Sequence, residues 1–186
     1  TVVKEELWIA LAEILGPRSV SFRPLIEHFG TPEAIFAAGR EELAAVAPEL
    51  SAGAVSSILR GAGKTNAAGI LYWCRRNGVR VLCYGEEGYP KALCSVTEPP
   101  AVLYCRGSFP DGETDFAVGV VGTRHMDEYG AGVAYKLSFE LAAAGAVIVS
   151  GMADGIDGVA AAAALEAGGR TVAVLGCGID IAYPRW

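Results

Sequence analysis

The residues best suited to chemistry follow an apolar segment in the second half of the chain. The segment FAVGVVG ends in Gly122 and continues directly into Thr123 and Arg124. Glycine lets a backbone approach an anion, the amides of the following turn can point at it, and the planar arginine fork suits a phosphate group. The alternative is a surface ion pair between Arg124 and Asp127 or Glu128. The residue types and their spacing favour a phosphate-binding corner that lacks the usual glycine fingerprint of a dinucleotide site.

A second apolar segment, AVIVSG, ends in a similar way. Ser150 and Gly151 close it, and Gly155 and Asp157 follow within the sequence SGMADGID. The glycines permit a tight turn, while the hydroxyl and the carboxylate suit either capping of the next helix or binding of a ligand hydroxyl. Spacing does not decide between capping and binding, so both interpretations stay open here.

A third segment, TVAVLGCG, carries Gly176 and Gly178 and leads into Tyr183 and Arg185. The tyrosine offers a stacking face, and the arginine is a second cation for a phosphate group. Ligands of an open α/β sheet bind at the carboxyl ends of its strands. Three glycine-rich strand ends that meet at one edge therefore predict a single binding site.

These residues favour binding over catalysis. The sequence contains no Ser-His-Asp set and no activated cysteine, and its clearest acid pair is Asp154 with Asp157. We therefore expect no catalytic residue, no cofactor and no enzymatic activity. The two histidines, His28 and His125, lie far apart with no metal-ligand spacing around them, so we also expect no metal site.

The elements that must position these residues change character along the chain. Residues 1–77 contain short helical patterns separated by glycine and proline, which predicts a small all-helical domain. In residues 78–186 the period changes, and we predict strands at 79–84, 101–107, 116–122, 146–151 and 171–178, with helices at 129–145 and 156–169. The alternation of the last three strands with helices predicts an α/β fold with a Rossmann-like, doubly wound parallel sheet. Such a sheet normally adds further units, so we expect the sheet to be incomplete and the chain to be a fragment.

The composition agrees with a globular protein that lies in a cytoplasm. The chain has 186 residues, of which 52% are hydrophobic, and no apolar run approaches the roughly 18–20 residues of a membrane helix. The five cysteines form no CxxC pair, which favours reduced, buried thiols. We therefore expect a cytoplasmic protein without a membrane partner.

The net charge of −6 is unevenly distributed. Residues 1–85 contain 9 Lys+Arg and 8 Asp+Glu, whereas residues 86–186 contain 6 Lys+Arg and 13 Asp+Glu. An acidic surface argues against broad, non-specific affinity for nucleic acid. Any nucleic-acid site must therefore be local, with a few basic groups in a pocket, although the basic residues of the helical part could extend it.

One glycine-rich stretch invites a different interpretation. The sequence GAGKT at 61–65 resembles the end of a phosphate-binding P-loop, but the position of the required first glycine holds Ile58. The preceding residues also have a helical pattern, whereas a P-loop follows a strand. We therefore interpret this stretch as a glycine-rich junction between helices.

The strand-end motifs together resemble one protein family. The ordered set YPKAL…EPPAVLYCRG…VGVVGTR…YG and VSGMADGID…AL…GGRTVAVLGCGIDIAYPR, over about residues 88–185, is similar to the DNA-processing protein A family (DprA/Smf). The helical N-terminal part, with LGPRSVSFRPLIEHFGTPEAIFAA, resembles the small SAM-like domain of that family less closely.

The resemblance implies a Rossmann-like domain that binds single-stranded DNA, forms a homodimer when full length, and loads the recombinase RecA in natural transformation. It implies no catalysis. By position, Arg124 would contact a DNA phosphate, and Arg185 is the second candidate. The remaining residues that would shape the pocket are Gly122, Thr123, Ser150, Gly151, Gly155, Asp157, Gly176 and Gly178.

Three positions depart from the pattern of the family. Asp127 stands where the family usually has serine, Asp154 where it often has a basic residue, and Ala161 where it usually has histidine. At an effective dielectric constant of about 20, a unit charge about 8 Å away contributes roughly 2 kcal/mol. The two added acids therefore predict weaker DNA binding than in a typical member, or a divergent role.

Two alternatives remain open on the sequence. The first is a Rossmann-like nucleotide-binding enzyme that resembles the nucleoside-monophosphate phosphoribohydrolases of the lysine-decarboxylase-like type. Asp127 and Asp154 would suit recognition of a ribose hydroxyl, although the Pro-Gly-Gly-x-Gly-Thr-x-x-Glu signature of those enzymes does not occur in these 186 residues. The second is a structural relative that only dimerises.

Overall fold

The computed structural model describes residues 3–108 and 116–183. The chain divides into two compact units, Thr1–Gly107 and Ser108–Trp186. We predicted a boundary at residue 77 from the change of period, and that division into domains stays a prediction. No helix within the described residues is both long enough and apolar enough to cross a bilayer.

The first unit is mainly helical, as its sequence pattern predicts. Its helices are α1 (Lys4–Leu15), α2 (Phe22–Phe29), α3 (Pro32–Ala37), α4 (Arg40–Val46), α5 (Ala52–Leu59), α6 (Lys64–Arg76) and the short α7 (Lys91–Cys94). Helix α2 is followed by its C-cap Gly30, which has a φ of 76°. The N-cap of α3 is Thr31, whose hydroxyl accepts from the Ala34 N–H at 3.2 Å. Glycine is common just after the end of a helix, and threonine is a favourable N-cap, so both ends agree with the local sequence.

The apolar residues of these helices meet in a common core. Trp8 and Leu11 of α1 are buried together with Phe22 and Leu25 of α2. Because α1 buries the continuous group Leu7 to Leu11, the helix is stabilised mainly by packing.

The first unit also contains a two-stranded antiparallel sheet. Strands β1 (Arg80–Cys83) and β2 (Val102–Cys105) pair with Arg80 opposite Cys105. Cys83 and the nearby Ala101 are buried in the helical core. The two strands are therefore part of the packing of the first unit, which the strand pattern alone does not indicate.

The GAGKT stretch is a junction between helices, as we interpreted it. Helix α5 ends at Leu59 and α6 begins at Lys64, so no strand precedes the glycines. Gly61 and Gly63 have φ values of 61° and 83°, which allow the sharp turn. The Lys64 ammonium lies 4.7 Å from the centre of the Phe36 ring. The lysine therefore makes a cation–π contact and is not part of a phosphate-binding loop.

The second unit has the predicted α/β architecture. It contains, in chain order, β3 (Ala117–Gly119), α8 (Glu128–Ala143), β4 (Val147–Ser150), α9 (Ile156–Glu166) and β5 (Arg170–Ala173). The three strands form a parallel sheet in the order β3-β4-β5. This Rossmann-like order confirms the predicted fold class and sets the carboxyl ends of the three strands side by side.

Alanines let the helices of the second unit approach the sheet closely. Ala142 of α8 and Ala160 and Ala164 of α9 are buried against Ile148 of β4. A small side chain at each contact brings helix and strand backbones together. This packing fixes the start of α9 relative to the ends of β3 and β4.

All five strands are shorter than predicted, and β3 and β5 differ most at their carboxyl ends. The prediction extended β3 to residue 122 and β5 to residue 178, but β3 ends at Gly119 and β5 at Ala173. The reason is the length of β4, which ends at Ser150 and whose last carbonyl accepts from the Val174 N–H at 2.8 Å. Without a partner strand, the apolar residues beyond this point form loops.

Candidate functional site

One buried carboxylate joins the ends of the two strands that carry the predicted corner. Asp157, in the first turn of α9, is only 7% exposed. Its Oδ1 accepts from the Gly122 N–H at 3.2 Å, and its Oδ2 accepts from the Gly151 N–H at 3.0 Å. Asp157 is thus engaged with backbone amides beyond β3 and β4 through both oxygens, a structural role that differs from the expected cap of α9. Its contact with a ligand stays a prediction.

The glycines of the corner are required by close contacts. A Cβ at Gly122 would lie 2.6 Å from Ile156, and one at Gly151 would lie 2.7 Å from the Asp157 carboxylate. Gly155 has a φ of +84°, and a Cβ there would lie 2.7 Å from the Cα of Arg124. Glycine at these three predicted site positions therefore allows the segments after β3 and β4 and the start of α9 to pack closely together.

Thr123 holds the turn that presents Arg124. Its carbonyl accepts from the Ile156 N–H at 3.1 Å, which joins the turn to the start of α9. Its hydroxyl accepts from the His125 N–H at 3.1 Å, and so stabilises the backbone on the far side of Arg124. Threonine therefore serves as a backbone support, with its hydroxyl already engaged.

Arg124 itself is exposed at the end of β3. Over residues 3–108 and 116–183, the ion pairs include none between Arg124 and a carboxylate. The alternative of a surface pair with Asp127 or Glu128 is therefore not what the structure forms. A guanidinium in this position has its donors available to an anion.

Asp127 has a defined structural role beside this corner. It is the N-cap of α8, and its Oδ1 accepts from the Gly130 N–H at 2.8 Å. Serine and aspartate are both favourable N-caps. The substitution relative to the family pattern therefore preserves the cap, and it adds a negative charge three residues after Arg124.

The end of β4 and the loop that follows it combine a buried hydroxyl with an unusual backbone. Ser150 is 3% exposed, and its hydroxyl has no hydrogen-bond partner within the described residues. Met152 has a φ of 56°, a left-handed conformation that costs a non-glycine residue about 1–2 kcal/mol. Asp154, half-buried, follows in the same loop. Such backbone strain is found most often at functional sites.

The third predicted segment lies beside the second. Ser150 pairs with Ala173, so the chain beyond β5 starts next to Gly151. Gly176 has open space where a Cβ would point, whereas a Cβ at Gly178 would meet the Asp180 carboxylate. Arg185, the second predicted cation, lies outside the described residues.

Potential metal ligands are not grouped in the part of the chain that the structure describes. The described ranges contain no group of three or more His, Cys, Asp or Glu side chains that would hold a metal ion. His125 is exposed beside Arg124, and His28, in the first unit, lies 3.8 Å from Glu42. The two histidines thus belong to different units.

Sequence reasoning missed two features of this site. It left the role of Asp157 open, because the amides that its two oxygens engage lie 35 and 6 residues away in the chain. It also did not detect the left-handed Met152, because methionine carries no signal for that conformation. The triplet Gly155-Ile156-Asp157 was the one signal in the sequence. A glycine directly before an acidic first helical turn indicates that another backbone segment lies close to it.

The chain matches known proteins along most of its length. Residues 80–186 match the profile of a family described as DNA recombination-mediator protein A. These residues include β1, β2 and the whole second unit. The chain is 40% identical over 116 residues to DNA processing protein DprA of Bacillus subtilis, covering 62% of this chain and 39% of that protein. It is 31% identical over 184 residues to Protein Smf of Synechocystis, covering 97% of this chain and 46% of that protein.

A solved structure agrees with the fold. The crystal structure of DNA processing protein A from Streptococcus pneumoniae has a TM-score of 0.75 to this chain at 23% sequence identity. The match covers 97% of this chain and 60% of that one. The chain spans less than half the length of the two curated relatives above. Since the family profile covers more than half of its residues, the chain belongs to the DNA recombination-mediator protein A family.

Proposed function

We propose that this chain is a binding module for single-stranded DNA and that Arg124 holds the phosphodiester backbone. The observation that carries the proposal is the exposed guanidinium, free of carboxylate partners in the described ranges, on a backbone corner that Asp157 secures. The supported turn fixes the backbone position from which the Arg124 side chain extends.

The acidic second half of the chain limits how DNA can bind. A broad electrostatic path would require many cations, whereas residues 86–186 contain 6 Lys+Arg against 13 Asp+Glu. A strand that touches the protein at a few phosphates fits this charge better than a duplex held along its length. We therefore propose local contacts at the carboxyl edge of the sheet.

We further propose that the site binds without catalysis. The acid pair considered for proton transfer consists of Asp154 and Asp157, and both oxygens of Asp157 accept from backbone amides. A carboxylate held in this way is poorly placed to accept a proton from a substrate. The nucleotide-binding enzyme alternative also loses support at Asp127, whose Oδ1 caps α8.

The role of the whole protein is part of the same proposal. The Bacillus subtilis relative is named for DNA processing, and the family for mediating recombination. We propose that the full-length protein is a cytoplasmic homodimer that delivers single-stranded DNA to RecA during transformation. The five free cysteines, of which Cys74, Cys83 and Cys105 are buried, are compatible with a reducing compartment.

The test is the binding of a fluorescent oligo-dT to this chain at low and moderate salt. Arg124→Ala should abolish salt-sensitive binding, while Arg40→Ala, at an exposed arginine of the first unit, should retain it. A nucleoside monophosphate should compete poorly. Binding that survives Arg124→Ala would contradict the proposed contact, and tight binding of the mononucleotide would support the enzyme alternative.

A further inference from the structure

An aromatic side chain stands in solvent next to the Arg124 corner. Tyr129, in the first turn of α8, is 80% exposed, the highest value among the exposed large apolar side chains of the described residues. It follows Arg124 by five residues and the N-cap Asp127 by two. The position of its backbone is therefore set by the same cap that ends the corner.

The other tyrosines with assigned contacts differ from Tyr129 in their surroundings. The Tyr89 hydroxyl donates to the Pro100 carbonyl at 2.7 Å, and the Tyr135 hydroxyl donates to the Glu166 carboxylate at 2.7 Å. Within the part of the chain that the structure describes, Tyr129 has no hydrogen bond or ring contact of this kind. Its ring faces are thus available to a ligand.

The same side of α8 continues as an apolar strip. Val133 and Leu137 follow Tyr129 at intervals of four residues and are 39% and 53% exposed. Residues at this spacing lie above one another on a helix surface. The strip of Tyr129, Val133 and Leu137 starts at the corner and extends away from it for about 12 Å, at 1.5 Å per residue.

We propose that Tyr129 stacks on a base of the single strand whose phosphate Arg124 binds. This inference rests on the proposed function and deepens it, because it names the contact by which the site would bind single-stranded DNA in preference to a duplex. An aromatic face beside a cation is the arrangement that binds unpaired nucleotides without sequence preference. In a duplex the base faces are already stacked, so the same tyrosine gives no gain there.

The experiment compares two probes of equal length, oligo-dT and an oligonucleotide of abasic deoxyribose phosphates. Tyr129→Ala should weaken binding of oligo-dT roughly tenfold and leave binding of the abasic probe unchanged. Tyr129→Phe keeps the ring and should retain wild-type affinity for both. Tyr72→Ala, which removes a 62% exposed tyrosine of the first unit, is the matched control and should change neither.

The outcomes separate this inference from the proposed function. Arg124→Ala should weaken both probes, since it removes a phosphate contact. If Tyr129→Ala leaves oligo-dT binding unchanged, or weakens both probes equally, the stacking role is overturned while the phosphate site stands. If the wild-type chain binds neither probe, both proposals fail. An unchanged melting temperature of Tyr129→Ala excludes loss of folding as the cause.

Discussion

The Asp157 carboxylate accepts from the Gly122 N–H at 3.2 Å across 35 residues of sequence. This bond joins the start of α9 to the segment beyond β3, and the second oxygen joins it to Gly151 beyond β4. A single buried side chain therefore holds the backbone on which Arg124 is presented. The stability of the second unit and the geometry of the proposed site depend on the same residue.

We expect Asp157→Ala to destabilise the protein by roughly 3 kcal/mol, because it leaves two amide donors without their acceptor. Urea denaturation followed by circular dichroism measures the change. Asp157→Asn should cost less, since one carbonyl oxygen still accepts. Equal stability of the alanine variant and the wild type would show that water replaces the carboxylate without loss.

Gly155 and Gly176 form a matched pair for testing the corner. Alanine at Gly155 would require a φ of +84° and would bring its Cβ to 2.7 Å from the Arg124 Cα. We expect it to cost roughly 2 kcal/mol or more and to displace Arg124, so that oligonucleotide binding falls. Gly176→Ala meets nothing within 4 Å and should be tolerated. Thermal denaturation and oligo-dT titration of both variants check the contrast.

The variant Asp127→Ser distinguishes the effect of Asp127 as the N-cap of α8 from the effect of its negative charge. Serine keeps an acceptor for the Gly130 N–H, so the stability of α8 should stay within about 0.5 kcal/mol of the wild type. Removal of a negative charge three residues from Arg124 should strengthen oligo-dT binding several-fold at low salt and less at high salt. Asp127→Ala is the companion variant, which also loses the charge but should lose about 1 kcal/mol of stability with the cap. Unchanged affinity in both variants would contradict the view that this acid repels DNA.

The stability of the first unit should fall at alkaline pH. Burial raises the pKa of the Cys83 thiol from 9.0 to about 12, with the nearby Glu5 and Glu86 carboxylates adding to the effect. The unfolded chain releases this proton near pH 9 while the folded protein keeps it, so stability decreases as the pH rises from 9 to 12. In urea denaturation, the free energy of unfolding of Cys83→Ala should fall less than that of the wild type between pH 9 and 12. If the free energies of both proteins fall equally with pH, the Cys83 thiol does not cause the decrease.

Much of the fold was predictable because it rests on local signals. The Gly30 stop, the Thr31 cap and the change from a helical to a strand period all act within a few residues. The parallel pairing of β3, β4 and β5 followed from their alternation with α8 and α9. The pairing of β1 with β2 and their burial in the first unit were not predictable, since they depend on contacts between residues about 20 apart.

The sequence by itself determined that Gly122, Thr123 and Arg124 follow an apolar strand, because glycine freedom, apolar period and residue chemistry are local properties. The burial expected of that strand is absent from the structure, where Ala117 and Gly119 of β3 are exposed. Only the tertiary structure decided what each polar group does. Asp157 accepts from the Gly122 and Gly151 amides because parallel pairing brings the ends of β3 and β4 to the start of α9. Asp127 became a helix cap because α8 starts directly after it. Arg124 is exposed and forms no ion pair with a carboxylate among the described residues.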